Sequence, residues 1–154
     1  FHFYEPFVFT HQGATWTWDA VAVMRNVPYP SNPENVAPLL DGLPDESRQA
    51  LEYYGQERWD GERINAEIAR VAEWAKANNV RLICTEFGVL GDFAPPADRV
   101  QWTLDIRTAF EEYGIGWSMW EYDSSFGLVT RAGSRRILDQ DLANALGLNV
   151  IAPG

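Results

Sequence analysis

Apolar residues recur at three- and four-residue spacing over 61–79, where Ile64, Ile68, Val71, Ala72 and Ala75 form one stripe. The spacing returns over 95–113 in Trp102, Ile106, Ala109, Phe110 and Tyr113, and Gly114 follows as a stop. Both stretches predict amphipathic helices. Between them the period changes: Arg81–Glu86 is a run of β-branched and apolar residues, and GIGWSMWEY (114–122) is another, so both predict strands. HFYEPFV (2–8) is aromatic and predicts an extended segment with Pro6 as its stop. Residues 9–44 have little periodicity and many Pro, Asn, Gly and aromatic residues. A connection of that length points to function. DESRQALEYYG (45–55) opens acidic and closes at glycine, which predicts a short helix. After a loop through Gly127 and Gly133, Arg136–Leu146 also predicts a helix.

Strands alternate with helices, which predicts α/β architecture with a parallel sheet of about three βα units. A closed (β/α)8 barrel takes eight units and about 250 residues. Three strands do not close, so the expectation is one domain over 1–154 with the form of a partial (β/α)8 barrel. The chain opens on FHFYEPFVF as though in mid-strand, and is expected to be a piece of something longer or to pair with something else.

Composition narrows the chemistry. A formal net charge of −10 argues against nucleic acid and anionic membrane as partners, since both call for a basic patch. The single cysteine, Cys84, rules out an intrachain disulfide and reads as a buried structural thiol. His2 and His11 make no metal-ligand pattern, and neither a metal nor another cofactor is expected. The sequence shows no transmembrane run, signal peptide or glycosylation sequon.

The strand ends carry the candidate chemistry, because α/β barrels place reactive groups there. Glu86 closes RLICTE, and Trp120 and Glu121 close the last strand. By alternation His2 and Tyr4 share a face, Leu82 and Cys84 share one with Glu86, and Ser118 shares one with Trp120. Trp117 and Met119 are expected to point toward the helices. If these sets face the lumen, the site holds an imidazole, a phenol, a carboxylate and an indole. Flat aromatic faces stack on sugar rings, and a carboxylate can attack an anomeric carbon.

Three stretches carry a resemblance: HFYEPFVFTHQGATW, ICTEFGV and GWSMWEYDSSFGLV, in that order and spanning almost the whole chain. Together they resemble the C-terminal part of a family 5 glycoside hydrolase, strands six to eight of a cellulase-like barrel. The resemblance implies a retaining β-glycanase with Glu86 as nucleophile. Tyr4 would hydrogen-bond it, His2 would help hold the site, and Trp120 would be the platform under the sugar. Trp16 and Trp18, on the long loop, would extend the sugar track.

The resemblance also implies a β-glycan substrate of the β-1,4-glucan kind and a secreted or periplasmic location. The family's acid/base is the Glu of an Asn-Glu-Pro motif, and no Asn-Glu-Pro occurs here. Glu5 and Glu121 have the opposite parity from Tyr4 and Trp120 and are expected to point away, whereas Asp123 lies in a loop within reach of the site. The open strand edges are expected to be covered by a homo-oligomer or by the N-terminal barrel half. The alternative function is a self-associating partial barrel with little or no turnover.

Overall fold

A computed structural model describes residues 1–148. Its centre is three short parallel strands. β1 (His2–Phe3) pairs with β3 (Glu86–Phe87), with His2 opposite Glu86 and Phe3 opposite Phe87. β2 (Ile83–Cys84) pairs with β4 (Gly116–Trp117). β2 and β3 are one strand interrupted at Thr85, whose N–H donates to the Phe1 carbonyl at 2.9 Å. The neighbours on its two sides therefore bond successive stretches of it. Past Trp117, the Ser118 N–H bonds the Cys84 carbonyl and the Trp120 N–H bonds the Phe87 carbonyl, both at 2.9 Å.

The helices around this sheet follow the sequence pattern closely in two cases. α5 (Gly61–Ala77) buries Ile64, Ile68 and Ala75, with Asp60 capping its start by accepting the Arg63 N–H. α6 (Pro96–Glu112) buries Trp102, Ile106, Ala109 and Phe110. Tyr113, expected on that stripe, is exposed, and its hydroxyl donates to Asn65 at 3.0 Å. α4 (Asp45–Glu57) runs through Gly55 rather than stopping there. Gly55 is instead a close-packing position, since a Cβ would meet Val36 Cγ2 at 2.5 Å; the helix ends at Arg58, which takes φ 51°.

Other expectations fail for local reasons. Residues 2–8 are not one extended segment: α1 (Phe7–Thr10) begins directly after Pro6, whose carbonyl accepts the N–H groups of Phe9 and Thr10. Its apolar sequence resembles a strand, and the backbone turns because those donors find Pro6. The loop over 9–44 contains α2 (Asp19–Ala22), α3 (Pro33–Val36) and a 3₁₀ turn at Ala37–Leu39. The helix expected over 136–146 is only α7 (Gln140–Ala145). Before it come β5 (Val129–Ala132) and β6 (Arg135–Leu138), an antiparallel hairpin in which Ala132 faces Arg135. Gly133 takes φ 64° in the two-residue turn, as such turns require.

The core lies between the sheet and the helices, with Phe3, Cys84, Phe87, Trp102, Ile106 and Phe110 in one apolar cluster. No helix among the described residues is long and apolar enough to cross a membrane. The opposite side of the sheet is open. Ile83 is 54% exposed there, Thr85 and Ser118 are exposed, and Cys84 is fully buried on the helix side. Cys84 therefore does not share an open face with Glu86. Alternation holds from Ile83 to Thr85 and slips at the interruption, so Glu86 emerges half-buried while Phe87 enters the core. Trp117 and Met119 pack against the core cluster.

Candidate active site

The site grows from the register of β1 against β3. His2 and Glu86 are neighbours on parallel strands, and Tyr4 lies two residues further along on His2's side. Both reach the same carboxylate oxygen. The Tyr4 hydroxyl donates to Glu86 Oε2 at 3.3 Å, and His2 Nδ1 lies 3.2 Å from that atom. Oε1 has no hydrogen-bonding partner among the described residues, so one oxygen is held and the other is open. Burial pushes the Tyr4 phenol well above its ordinary pKa, and the charge and hydrogen bond of Glu86 push it further. The phenol thus stays protonated and donates.

Tyr4 is fixed from behind. Thr10 donates its hydroxyl proton to the Tyr4 carbonyl at 2.6 Å. The same hydroxyl lies 2.9 Å from His11 Nδ1. With its proton already given, Thr10 accepts from Nδ1–H, which makes Nε2 the unprotonated nitrogen of a neutral His11. The His11 ring stacks on Phe7 with centroids 3.9 Å apart and planes at 10°, and it meets the Tyr4 and Phe126 rings edge-on. Desolvation lowers its pKa to about 4.

Trp120 is 44% exposed and is tied by its N–H to the Phe87 carbonyl, one residue past Glu86. Its own carbonyl lies against Gly88, where a Cβ would sit 2.2 Å from that oxygen. The glycine after Glu-Phe is a packing requirement of the loop that carries Trp120. The Trp120–Glu121 peptide is cis.

Arg99, on α6, holds the two loops together. It donates to the carbonyls of Val89 at 3.2 Å and of Phe126 and Gly127 at 2.8 Å, and pairs with Asp139 at 3.5 Å. Sequence reasoning missed it, although it lies on the same helical stripe as Trp102 and Ile106, where a lone charge is a signal in itself. His11, Thr10 and Gly88 were missed as well. Gly88 meets Trp120 from a distant part of the chain, and Thr10 and His11 come behind Tyr4 because the backbone turns after Pro6, which the aromatic pattern of 2–8 does not reveal.

A model of the cellulase family, glycosyl hydrolase family 5, matches residues 1–125. The chain belongs to this family. Over 147 residues it is 31% identical to endoglucanase C of Acetivibrio thermocellus, a match that covers 95% of the chain and 41% of that relative. A hyperthermophilic endo-β-1,4-glucanase solved in complex with substrate is 31% identical with TM-score 0.66, over 96% of this chain and 38% of that one. Endoglucanase Cel5A of Thermotoga maritima is 26% identical with TM-score 0.68, over 94% and 37%. The chain thus spans about two fifths of these relatives, and it corresponds to their C-terminal part. The three parallel strands form a partial family 5 (β/α)8 barrel.

The remaining candidate groups fall in different places. Trp16 is 64% exposed, and Trp18 donates its indole N–H to Glu46 at 2.7 Å. Among the described residues neither makes a hydrogen bond to Glu86 or a ring contact with Tyr4 or His11. Glu5 turns aside to accept the Phe7 N–H at 3.1 Å. Glu121, expected to point away, lies near enough to Tyr4 for its charge to add to those raising the phenol pKa. Asp123 is unavailable as a proton donor, because Arg131 and Arg136 each bond its Oδ2, at 2.8 and 2.9 Å. Partial desolvation pushes its pKa upward, but the two arginines outweigh it and the net shift is downward.

Proposed function

We propose that this chain carries the nucleophile half of a retaining β-glycan hydrolase site, of the endo-β-1,4-glucanase kind. The observation that supports it most is the asymmetry at Glu86: Tyr4 and His2 both engage Oε2, while Oε1 is open. Glu86 would attack the anomeric carbon as the bond to the leaving oxygen breaks, and water would later release the glycosyl-enzyme ester. Trp120 would support the sugar at that position, with Trp16 further along the glycan. Protonation of the leaving oxygen requires a second carboxyl roughly 5–5.5 Å from the first. Asp123 is tied up by arginines, and the remainder of a family 5 barrel is the expected source. By the same family reading, the protein works outside the cell or in the periplasm.

The test is labelling with a 2-fluoro-β-glucoside bearing a dinitrophenyl leaving group, read by intact mass. That leaving group needs no acid catalyst, so the reagent tests the nucleophile alone. The expected result is one adduct on Glu86, absent from Glu86→Gln. A folded chain that takes no label would sink the reading.

A second reading rests on the open sheet face. Ile83 and Trp120 are exposed there, and among the described residues β1 and β4 each have a partner on one side only. In this reading the chain self-associates to cover its edges. Sedimentation is then expected to show a dimer or larger species at micromolar concentration, and a monomer at all concentrations would refute it.

A further inference from the structure

We propose that the segment after β1 builds a second saccharide site, a cavity that holds one pyranose unit of a β-glycan. The proposal rests on the reading of the chain as a β-glycan hydrolase, and extends it to a site of its own. The cavity, of about 220 Å³, is walled by Glu5, Phe7, Trp18, Tyr53, Glu57 and Trp59. It is small against the ~300–1,000 Å³ of drug-sized sites, and suits about one sugar ring.

Its rings are fixed before any ligand arrives. Glu57 accepts from the Tyr53 hydroxyl at 3.2 Å through one oxygen and from the Trp59 indole at 3.0 Å through the other. Glu46 holds the Trp18 indole at 2.7 Å. Arg63 lies 3.5 Å from Glu57 and over the Trp59 ring, 5.0 Å from its centroid, which fixes that pair in turn. Three charged side chains thus orient the rings, two of which keep a face at the surface: Tyr53 is 62% exposed and Trp18 is 40% exposed. Rings held in place lose little freedom on binding.

The chemistry selects the ligand class. Glu5, Glu46 and Glu57 repel an anion. A hydrocarbon would strip water from these carboxylates and offer them no donor. A neutral polyol with flat C–H faces satisfies both sets of groups: its faces lie on the rings and its hydroxyls donate to the carboxylates. Phe7 connects the cavity to the candidate active site. It lines the cavity and stacks on His11, which in turn abuts the Tyr4 ring beside Glu86. The two sites share one row of packed rings.

The test is titration of the chain with cellotetraose, read by tryptophan indole resonances in a ¹⁵N spectrum and by binding affinity. The Trp18 indole is expected to shift saturably. Trp18→Ala and Tyr53→Ala, both at exposed positions, are each expected to weaken that binding about five- to tenfold, with melting temperature unchanged. A Trp18 resonance that stays still up to the solubility limit overturns the proposal, and so does unchanged affinity in both variants. Glu86 labelling separates the two readings. Labelling without a Trp18 response leaves the catalytic reading standing and removes this site. A Trp18 response without labelling supports this site and removes the nucleophile assignment.

Discussion

Replacing Arg99 with methionine is expected to lower the free energy of unfolding by about 3–5 kcal/mol, among the larger effects a single substitution produces. Burying a guanidinium is costly, and an apolar replacement for a buried charge is often neutral. The partners decide the sign here. Arg99 is 9% exposed and serves the carbonyls of Val89, Phe126 and Gly127, which methionine would leave in place without donors. Each orphaned buried acceptor costs about 1–3 kcal/mol. Asp139 would lose its cation as well. Desolvation draws the Arg99 pKa down, and the charges of Asp139 and Asp92 oppose it.

The same residue links stability to the site. Gly91 lies against the guanidinium, and its N–H bonds the Ser125 carbonyl at 2.7 Å. The clamp therefore sets the loop after Glu86 against the loop after Trp120. Arg99→Lys keeps the charge and loses the planar fork, so it is expected to recover less than half of the stability. Urea unfolding of the three proteins checks the order. The labelling rate of Glu86 should fall with the clamp even where the fold survives. A methionine variant within 1 kcal/mol of the parent would show that the carbonyls find other donors.

The contrast between what the sequence pattern revealed and what it hid has physical causes. α5 and α6 are long and one-sided, so Ile64 with Ile68 and Trp102 with Ile106 announce a helix through spacing alone. Alternation places His2 and Tyr4 together, and the two side chains do meet at Glu86 Oε2, although β1 itself ends at Phe3. Alternation misplaced Cys84 because the strand is interrupted at Thr85, where its hydrogen-bonding neighbour changes, and nothing in RLICTEF marks that change. The hairpin of β5 and β6 gave no signal for another reason. Thr130, Arg131, Arg135 and Arg136 are all exposed, and only the Val129–Leu138 end turns inward, so the ribbon offers no run of alternating apolar positions. Its arginines matter nonetheless, since two of them hold Asp123 ionised. That pairing ties up the loop carboxylate whose place in the sequence lies within reach of the site.

Acid should weaken this protein through His11. Its pKa is lowered to about 4, from an ordinary value near 6.5, by desolvation among Phe7, Tyr4 and Phe126. Between those two values the unfolded chain holds the proton and the folded chain does not. Unfolding then takes up a proton, so stability rises with pH across the window. The contribution is fully present above pH 6.5 and is lost as pH falls toward 4. It amounts to about 3 kcal/mol, at about 1.4 kcal/mol per pKa unit. Carboxylates titrate in the same range, so the measurement has to be a difference. His11→Gln keeps a donor for the Thr10 hydroxyl and removes the titration. Urea unfolding of both proteins at pH 7 and pH 4 is expected to show the parent losing about 3 kcal/mol more than the variant. Equal losses would mean that His11 is protonated in the fold without cost. The consequence reaches the site through Thr10, which bonds both His11 and the Tyr4 carbonyl. A proton on His11 places a charge among three aromatic rings directly behind the phenol that holds Glu86. Labelling of Glu86 should therefore slow below pH 5 in the parent by a larger factor than in His11→Gln, even before either protein unfolds.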